Sequence, residues 1–198
     1  KFYIQPSAFI DVLSLFIFIS LAAFYYEYIN NENEKHILNQ LYTDSLTNSS
    51  NRTRLLMDLN NNISNKLILI NIDNFKHIND LYGNAIGDSV LIEMSERLNQ
   101  YKKHHYVEDI YKLHADEFAI LCYELADRKI LNDFVNQLER ELNRVFFINN
   151  IEIIITITMG ISDTSKNVIE EADMALKLAK ENQVRYLFFE DSMKIKEK

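Results

Sequence analysis

The stretch KLILINIDNFKHINDLYGNAIGD, residues 66–88, contains the pattern on which the fold prediction rests. Its beginning, residues 66–72, is a run of mostly branched apolar residues, which predicts a buried β-strand. Successive side chains of a strand point to opposite faces, so Leu69, Asn71 and Asp73 should share one face. Polar side chains at the end of an apolar strand are well placed to bind a ligand. Alternatively, Asp73 caps the turn that follows.

The rest of this stretch holds Gly83 and Gly87, two of only three glycines in the chain. Their spacing predicts a short loop in which the backbone adopts conformations or close approaches that a Cβ would prevent. Asn79 and Asp88 bracket this loop. An amide and a carboxylate together suit the hydrogen-bonding edge of a guanine. The alternative is a turn at Asn79 and a helix N-cap at Asp88.

The hydrophobic patterns after residue 44 predict a mixed α/β domain with a central sheet flanked by helices. A turn at residues 114–116 is predicted to join two of the strands. It presents Asp116 and Glu117, which could hold Mg²⁺ together with phosphates because hard cations prefer oxygen ligands. Exposed acidic residues are also common at ordinary turns. The remaining predicted helices are 54–63, 85–101, 130–146 and 168–181, and the remaining predicted strands are 110–113, 118–123, 151–159 and 186–189.

The N-terminal part of the chain has a different character. Residues 12–26 carry no charge, and the apolar run 8–29 has the length of a bilayer-spanning helix. Asp11 and Glu27 lie near its ends, and three nearby tyrosines (Tyr25, Tyr26 and Tyr28) resemble an interfacial aromatic belt. We therefore predict a transmembrane helix in residues 1–29, a helical linker in 30–43 and a folded domain in 44–198. The alternative for the first segment is a soluble helix that dimerises with a second copy.

Composition excludes several classes of protein. With 47% hydrophobic residues the chain can bury a core, and its net charge of -8 argues against a nucleic-acid binder. Cys122 is the only cysteine, so we expect it to be a small buried side chain in a reducing compartment. No cysteine–histidine spacing typical of zinc sites is present. Because the chain starts at Lys1, we expect it to be part of a longer or processed protein.

Several motifs, in matching order, resemble the GGDEF family of diguanylate cyclases, which condense two GTP molecules into cyclic di-GMP. They cover the chain from Asp44 to about Glu190. The segments are Asp44-Ser45-Leu46-Thr47 with Asn51-Arg52 (family pattern DxLTxxxNR), residues 72–80 (IDxFKxIND), residues 83–88 (GHxxGD) and residues 172–180 (ADxALxxAK). The family signature itself falls on residues 114–118, which read HADEF.

The resemblance implies an α/β (α+β) fold with a central, mainly antiparallel sheet, similar to a nucleotidyl-cyclase palm. It also implies Mg²⁺ or Mn²⁺ as the cofactor of a bound nucleotide, and a homodimer in the active form. The roles it implies are guanine reading by Asn79 and Asp88, phosphate contact by Lys180 and Arg185, metal binding by Asp116, Asn71 and Asp73, and catalysis by Glu117 if the enzyme is active.

This sequence departs from the family pattern at positions that matter for catalysis. His114 and Ala115 replace the two signature glycines, and a Cβ there would crowd the nucleotide. Asn71 stands where the family has its first metal carboxylate, and an amide is a poorer Mg²⁺ ligand. The family's inhibitory RxxD motif appears as residues 106–109 with Tyr106 in place of arginine, so a high-affinity inhibitory site is not expected.

These features predict a degenerate member of the family, anchored in the inner membrane with its GGDEF-like domain in the cytoplasm. It would act by binding GTP or a related nucleotide, or a protein partner. One alternative is an active diguanylate cyclase. The other is a structural module for dimerisation or docking with an empty pocket.

Overall fold

The computed structural model describes residues 6–61, 65–123, 127–163 and 167–195. The chain divides into two compact units, Lys1–Leu41 and Tyr42–Lys198. The mixed α+β fold predicted from the sequence is confirmed, including the long apolar helix at the N-terminus. The division at residues 29/30 and 43/44 stays a prediction.

The described part of the N-terminal unit is one helix, α1 (Pro6–Tyr42), of 37 residues, whose last residue belongs to the second unit. Within the described part of the chain, its segment Ile10–Tyr42 is the one helix that is long and apolar enough to cross a membrane by length and composition. Its large apolar side chains are exposed; Phe18 and Phe24, for example, each have 70% of their surface accessible. Apolar surface on this scale marks a contact with lipid or with another protein.

Among the described residues, the second unit contains eight strands: β1 (Ser50–Asn51), β2 (Asn65–Ile72), β3 (Val107–His114), β4 (Glu117–Tyr123), β5 (Val145–Ile148), β6 (Ile151–Ile154), β7 (Ile157–Ser162) and β8 (Tyr186–Phe188). Six of them form one sheet in the order β1-β3-β4-β2-β7-β8, and β5 and β6 form a separate hairpin. Strand β2 lies in the middle, antiparallel to both β4 and β7. Only the outer pairs, β1 with β3 and β7 with β8, are parallel.

Helices cover both faces of the sheet, and the alternation of β2 decides which residues each face buries. The described helices of this unit are α2 (Arg52–Asn61), α3 (Phe75–Tyr82), α4 (Asn84–Asn99), α5 (Arg128–Leu142) and α6 (Val168–Glu181), with 3-10 turns at Gln100–Lys103 and Asp191–Ile195. Ile68, Ile70 and Ile72 belong to the core formed with α3, α4 and α5. Leu67 and Leu69 belong to the opposite core, formed with α2 and α6. The predicted alternation is therefore confirmed.

Cys122 lies on β4 in the first of these cores and is fully buried, as expected from the sequence. Burial raises the pKa of its thiol to about 12. The thiol therefore stays protonated near neutral pH, as in an inert core cysteine.

Two predicted elements were wrong. The helix predicted for residues 130–146 ends at Leu142, and the aromatic and β-branched residues that follow form β5. Asn149 and Asn150 then adopt positive φ angles of 50° and 65° and connect β5 to β6, as expected for a two-residue hairpin turn. The strand predicted for residues 151–159 splits into β6 and β7, because β6 pairs with β5 whereas β7 joins the main sheet.

Gly160, in the middle of β7, determines how closely α6 approaches the sheet. A Cβ on Gly160 would lie 2.1 Å from the carbonyl oxygen of Ala172 and 2.3 Å from the amide nitrogen of Leu176. The backbone of α6 therefore packs directly on β7. This contact also places the C-terminal turn of α6, which carries Lys180, beside the end of β2.

Candidate functional site

A pocket of about 650 Å³ opens at the end of the sheet where β2 stops and where β7 and β8 begin. Asn71 and Asp73 line it from the end of β2, Thr158 lines it from β7, and Lys180 lines it from α6. Arg185, directly before β8, completes this set. The structure thus brings together four of the side chains that the sequence singled out, from segments that lie far apart in the chain.

The floor of the site is a polar row that crosses three neighbouring strands. Asn71 pairs with Glu117 of β4 on one side and with Thr158 of β7 on the other. Directly paired residues of adjacent strands share a face of the sheet. Asn71 and Thr158 are only 5% and 6% exposed, respectively. Glu117, the predicted catalytic residue, is therefore the immediate neighbour of Asn71.

The carboxylate of Asp73 is already engaged by two side chains. Its Oδ1 accepts a hydrogen bond of 2.7 Å from the Thr158 hydroxyl, and its Oδ2 lies 3.6 Å from Nη1 of Arg185. Backbone hydrogen bonds hold Asp73 and Arg185 in place. The N–H of Asp73 donates to the carbonyl oxygen of Thr156, and the N–H of Met159 donates to the carbonyl oxygen of Arg185. Arg185 is thus held where its guanidinium faces Asp73.

The signature hairpin between β3 and β4 is held by a buried lysine. The ammonium of Lys112 donates to the carbonyl oxygens of His114 and of Ala115, the latter at 2.8 Å. Nε2 of His114 accepts a hydrogen bond of 2.7 Å from Nη1 of Arg52. Neither His114 nor Ala115 has a positive φ angle. The turn therefore needs no glycine for its backbone conformation, and what His114 and Ala115 change is the space around it.

The electrostatics of Lys112 reflect this position. Burial lowers the pKa of its ammonium, and the nearby carboxylates of Asp44, Asp116 and Glu117 oppose that shift. Asp116 also fixes the hairpin to the central strand, since its carbonyl oxygen accepts a hydrogen bond of 3.1 Å from Ile72 N–H. Lys112 and Asp116 thus stabilise the turn from its two sides.

The loop predicted around the two glycines is wrong, because this segment is almost entirely helical. Asn79 lies inside α3, Gly83 joins α3 to α4 with a φ of 85°, and Gly87 and Asp88 lie inside α4. The alternatives of a turn at Asn79 and an N-cap at Asp88 are therefore also wrong. Helix α3 has only eight residues, too few for a clear helical period in the sequence.

The close approach expected at one of the two glycines is present at Gly87, where the Asn79 side chain lies against the helix backbone. A Cβ on Gly87 would lie 1.8 Å from Oδ1 of Asn79, so the missing side chain leaves room for the Asn79 amide between the two helices. Asp88, the next residue, is exposed. Within the described part of the chain, the Asn79 and Asp88 pair lies on α3 and α4 and is not among the residues lining the pocket. Their guanine-reading role stays a prediction.

Residues 106–109, which stand in place of the family's inhibitory RxxD motif, contact other residues of the same domain. Asp109 forms an ion pair of 2.6 Å with Lys102 and accepts a hydrogen bond from the Ser50 hydroxyl. Tyr106 packs edge-on against Phe134, with 5.2 Å between the ring centres. An aromatic side chain of the core periphery thus occupies the place of the family arginine.

The predicted metal ligands supply few carboxylates that are not already in contact with another side chain. Over the described ranges, no group of three or more His, Cys, Asp or Glu side chains could hold a metal ion. Of the predicted ligands, Asn71 is a neutral amide and Asp73 is engaged by Thr158 and Arg185. Asp116 lies at the hairpin turn.

Comparison with known proteins decides the family. A family model described as the diguanylate cyclase GGDEF domain matches residues 41–185, which is most of the chain. The chain belongs to the GGDEF domain family. The resemblance drawn from its motifs is thereby confirmed, and the pocket described above lies within the GGDEF domain.

Curated relatives of this GGDEF domain include two diguanylate cyclases of Escherichia coli (strain K12). DgcN is 29% identical over 136 residues, which are 65% of this chain and 33% of DgcN. DgcP is 36% identical over 111 residues, which are 51% of this chain and 32% of DgcP. The chain therefore spans about a third of the length of these relatives.

Among solved structures, the coiled coil and GGDEF domain of DgcB from Caulobacter crescentus, crystallised in complex with c-di-GMP, has a TM-score of 0.75. The match covers 89% of this chain and 98% of that one. At 19% identity, this likeness concerns the fold.

Two residues that the sequence does not single out have contacts in this region, Thr158 at the pocket and Lys112 at the hairpin. The local pattern around Thr158 predicts only a strand, because nothing in it shows that this residue lies beside Asp73. The pattern around Lys112 likewise predicts only a strand, although a charged residue in a buried strand two residues before the signature is a signal of such a role. Both roles depend on strand pairing.

Proposed function

We propose that this protein is a membrane-anchored GGDEF-domain signalling protein that binds a guanine nucleotide such as GTP without converting it. The observation that carries the proposal is the pocket in which Lys180 and Arg185 converge beside Asp73 while the first metal position is Asn71. Cationic side chains in a pocket are suited to phosphate groups. Related proteins named diguanylate cyclases support guanine as the base.

The lack of turnover is supported by the chemistry of the site. Phosphoryl transfer depends on metal ions and cationic groups that balance the charge developing on the phosphate. Asn71 removes one negative charge from the predicted metal site. His114, held by Arg52, adds an imidazole at a position where the family has glycine. The predicted binding residues Asn79, Asp88 and Lys180 are thus retained, whereas the predicted metal position 71 and the two signature glycine positions are altered.

The test of nucleotide binding is titration calorimetry of the purified full chain in mild detergent with GTP. We expect a dissociation constant in the micromolar range, which corresponds to a binding free energy of about -8 kcal/mol. Asp88→Ala should weaken binding about tenfold or more, since it removes hydrogen bonds to a charged group. Asp133→Ala, which removes an exposed carboxylate from α5 instead, is the matched control and should bind normally.

Each other outcome of this titration favours a different function. If GTP produces no heat and no displacement of a fluorescent analogue, the domain is the structural dimerisation or docking module. Equal binding by Asp88→Ala and the unchanged chain would show that Asp88 does not read guanine. Cyclic di-GMP formed above background with Mg²⁺ or Mn²⁺ would identify an active cyclase, in which Glu117 acts and two protomers face each other as a homodimer.

The membrane anchor is proposed for the apolar part of α1, with the GGDEF domain on the cytoplasmic side of the inner membrane. The support is its length, its composition and its exposed apolar surface. We expect the full chain to pellet with membranes and to resist alkaline carbonate extraction, whereas a chain starting at Asn30 should remain in the supernatant. Release of the full chain by carbonate would instead favour a helix that dimerises in water.

A further inference from the structure

We infer that the pocket holds the polyphosphate of its nucleotide without a divalent cation, with Arg185 and Lys180 supplying the positive charge. This inference rests on the proposed nucleotide binding and adds how the phosphates are neutralised. It replaces the Mg²⁺ or Mn²⁺ that the family resemblance implies.

The first reason is the chemistry of Asn71. This residue is 5% exposed in the floor of the pocket, between Glu117 and Thr158 of the neighbouring strands. A divalent cation in a phosphate site is normally held by one or two carboxylates together with the phosphates and waters. An amide carries no charge. The site therefore attracts a dication less strongly than it would with a carboxylate at position 71.

The second reason is the arrangement around Asp73. One of its oxygens accepts a hydrogen bond from Thr158, and the other faces the guanidinium of Arg185 at 3.6 Å. A dication bound to Asp73 would have to lie beside a like charge or displace it. Arginine remains protonated throughout the physiological range, so this opposing charge cannot be removed by titration.

The remaining predicted ligand also has a cation close by. The ammonium of Lys112 donates to the carbonyl oxygens of His114 and Ala115, the two residues directly before Asp116. Asp73 and the turn that carries Asp116 thus each have a cationic side chain of the chain beside them, which lowers their attraction for a dication. Glu117, the strand neighbour of Asn71, is the carboxylate that remains in the floor of the pocket.

The same arrangement favours an anion. Arg185 has about half of its side chain exposed, and a guanidinium has five N–H donors, so contact with Asp73 leaves donors free for a phosphate. Lys180 is exposed on the adjoining turn of α6 and lines the same pocket. A planar guanidinium and an ammonium at one pocket form a site for a nucleoside polyphosphate.

The experiment is GTP titration of the full chain in mild detergent, once with Mg²⁺ and once with excess EDTA. We expect the two dissociation constants to agree within about threefold, which is less than about 1 kcal/mol. Binding with Mg²⁺ but none with EDTA would overturn the inference and leave the proposed function standing. No binding in either buffer would overturn the proposed function itself.

Two variants test the charge argument. Arg185→Gln should weaken GTP binding in EDTA about tenfold or more, because a charged hydrogen-bond donor is lost, and Arg140→Gln, on the exposed side of α5, should bind normally. Asn71→Asp should make binding at least about tenfold tighter with Mg²⁺ than with EDTA. Unchanged binding by Arg185→Gln in EDTA, or an Asn71→Asp chain that still ignores Mg²⁺, would contradict the assignment.

Discussion

Replacing Gly160 by alanine should destabilise the GGDEF domain by about 3 kcal/mol or more. The added Cβ would meet the carbonyl oxygen of Ala172 at 2.1 Å and the amide nitrogen of Leu176 at 2.3 Å. Both are backbone atoms of a packed helix, which cannot rotate away as a side chain can. Helix α6 would have to move off the sheet along its whole contact with β7.

The measurement is denaturant-induced unfolding of the full chain in mild detergent, followed by tyrosine fluorescence. Gly87→Ala is the matched control, because its Cβ meets the end of the flexible Asn79 side chain rather than backbone. Alanine is also favoured over glycine inside a helix by about 1 kcal/mol. We therefore expect little loss of stability for Gly87→Ala. An unchanged unfolding midpoint for Gly160→Ala would mean that α6 does not lie as close to β7 as described.

The triple variant Asn71→Asp, His114→Gly and Ala115→Gly should raise cyclic di-GMP formation by at least about a hundredfold over the unchanged chain, the scale on which single transition-state contacts act. The aspartate introduced at position 71 would restore the missing carboxylate beside Glu117. The glycines would remove the imidazole that Arg52 holds and open space for the nucleotide. Lys112 would still hold the two carbonyl oxygens of the turn, since that contact involves backbone acceptors.

The assay is product formation from GTP with Mg²⁺ or Mn²⁺, detected by chromatography. Adding Glu117→Gln to the triple variant is the control and should return product to background, because Glu117 is the predicted catalytic residue. A folded triple variant that remains inert would show that Asn71, His114 and Ala115 are not what separates this chain from an active cyclase.

The sequence predicted best where the determining pattern is local. The strand around residues 66–72 was assigned correctly because its side-chain alternation is complete within one segment, and the burial of Ile68 and Leu69 on opposite faces follows from it. The sequence predicted poorly where the structure of a segment depends on which strand it pairs with. Residues 151–159 read as one β-branched strand, and only the pairing with β5 divides them.

The sequence by itself determined the family and the α+β class, because ordered motifs and hydrophobic periodicity are properties of the linear chain. Tertiary structure alone decided which side chains meet at the pocket. Thr158 and Asp73 are 85 residues apart, yet share a hydrogen bond because β7 pairs with β2 in one particular register. The same register, with α6 packed on Gly160, brings Arg185 to Asp73. Contacts between distant segments depend on strand register and helix packing, which no local pattern encodes.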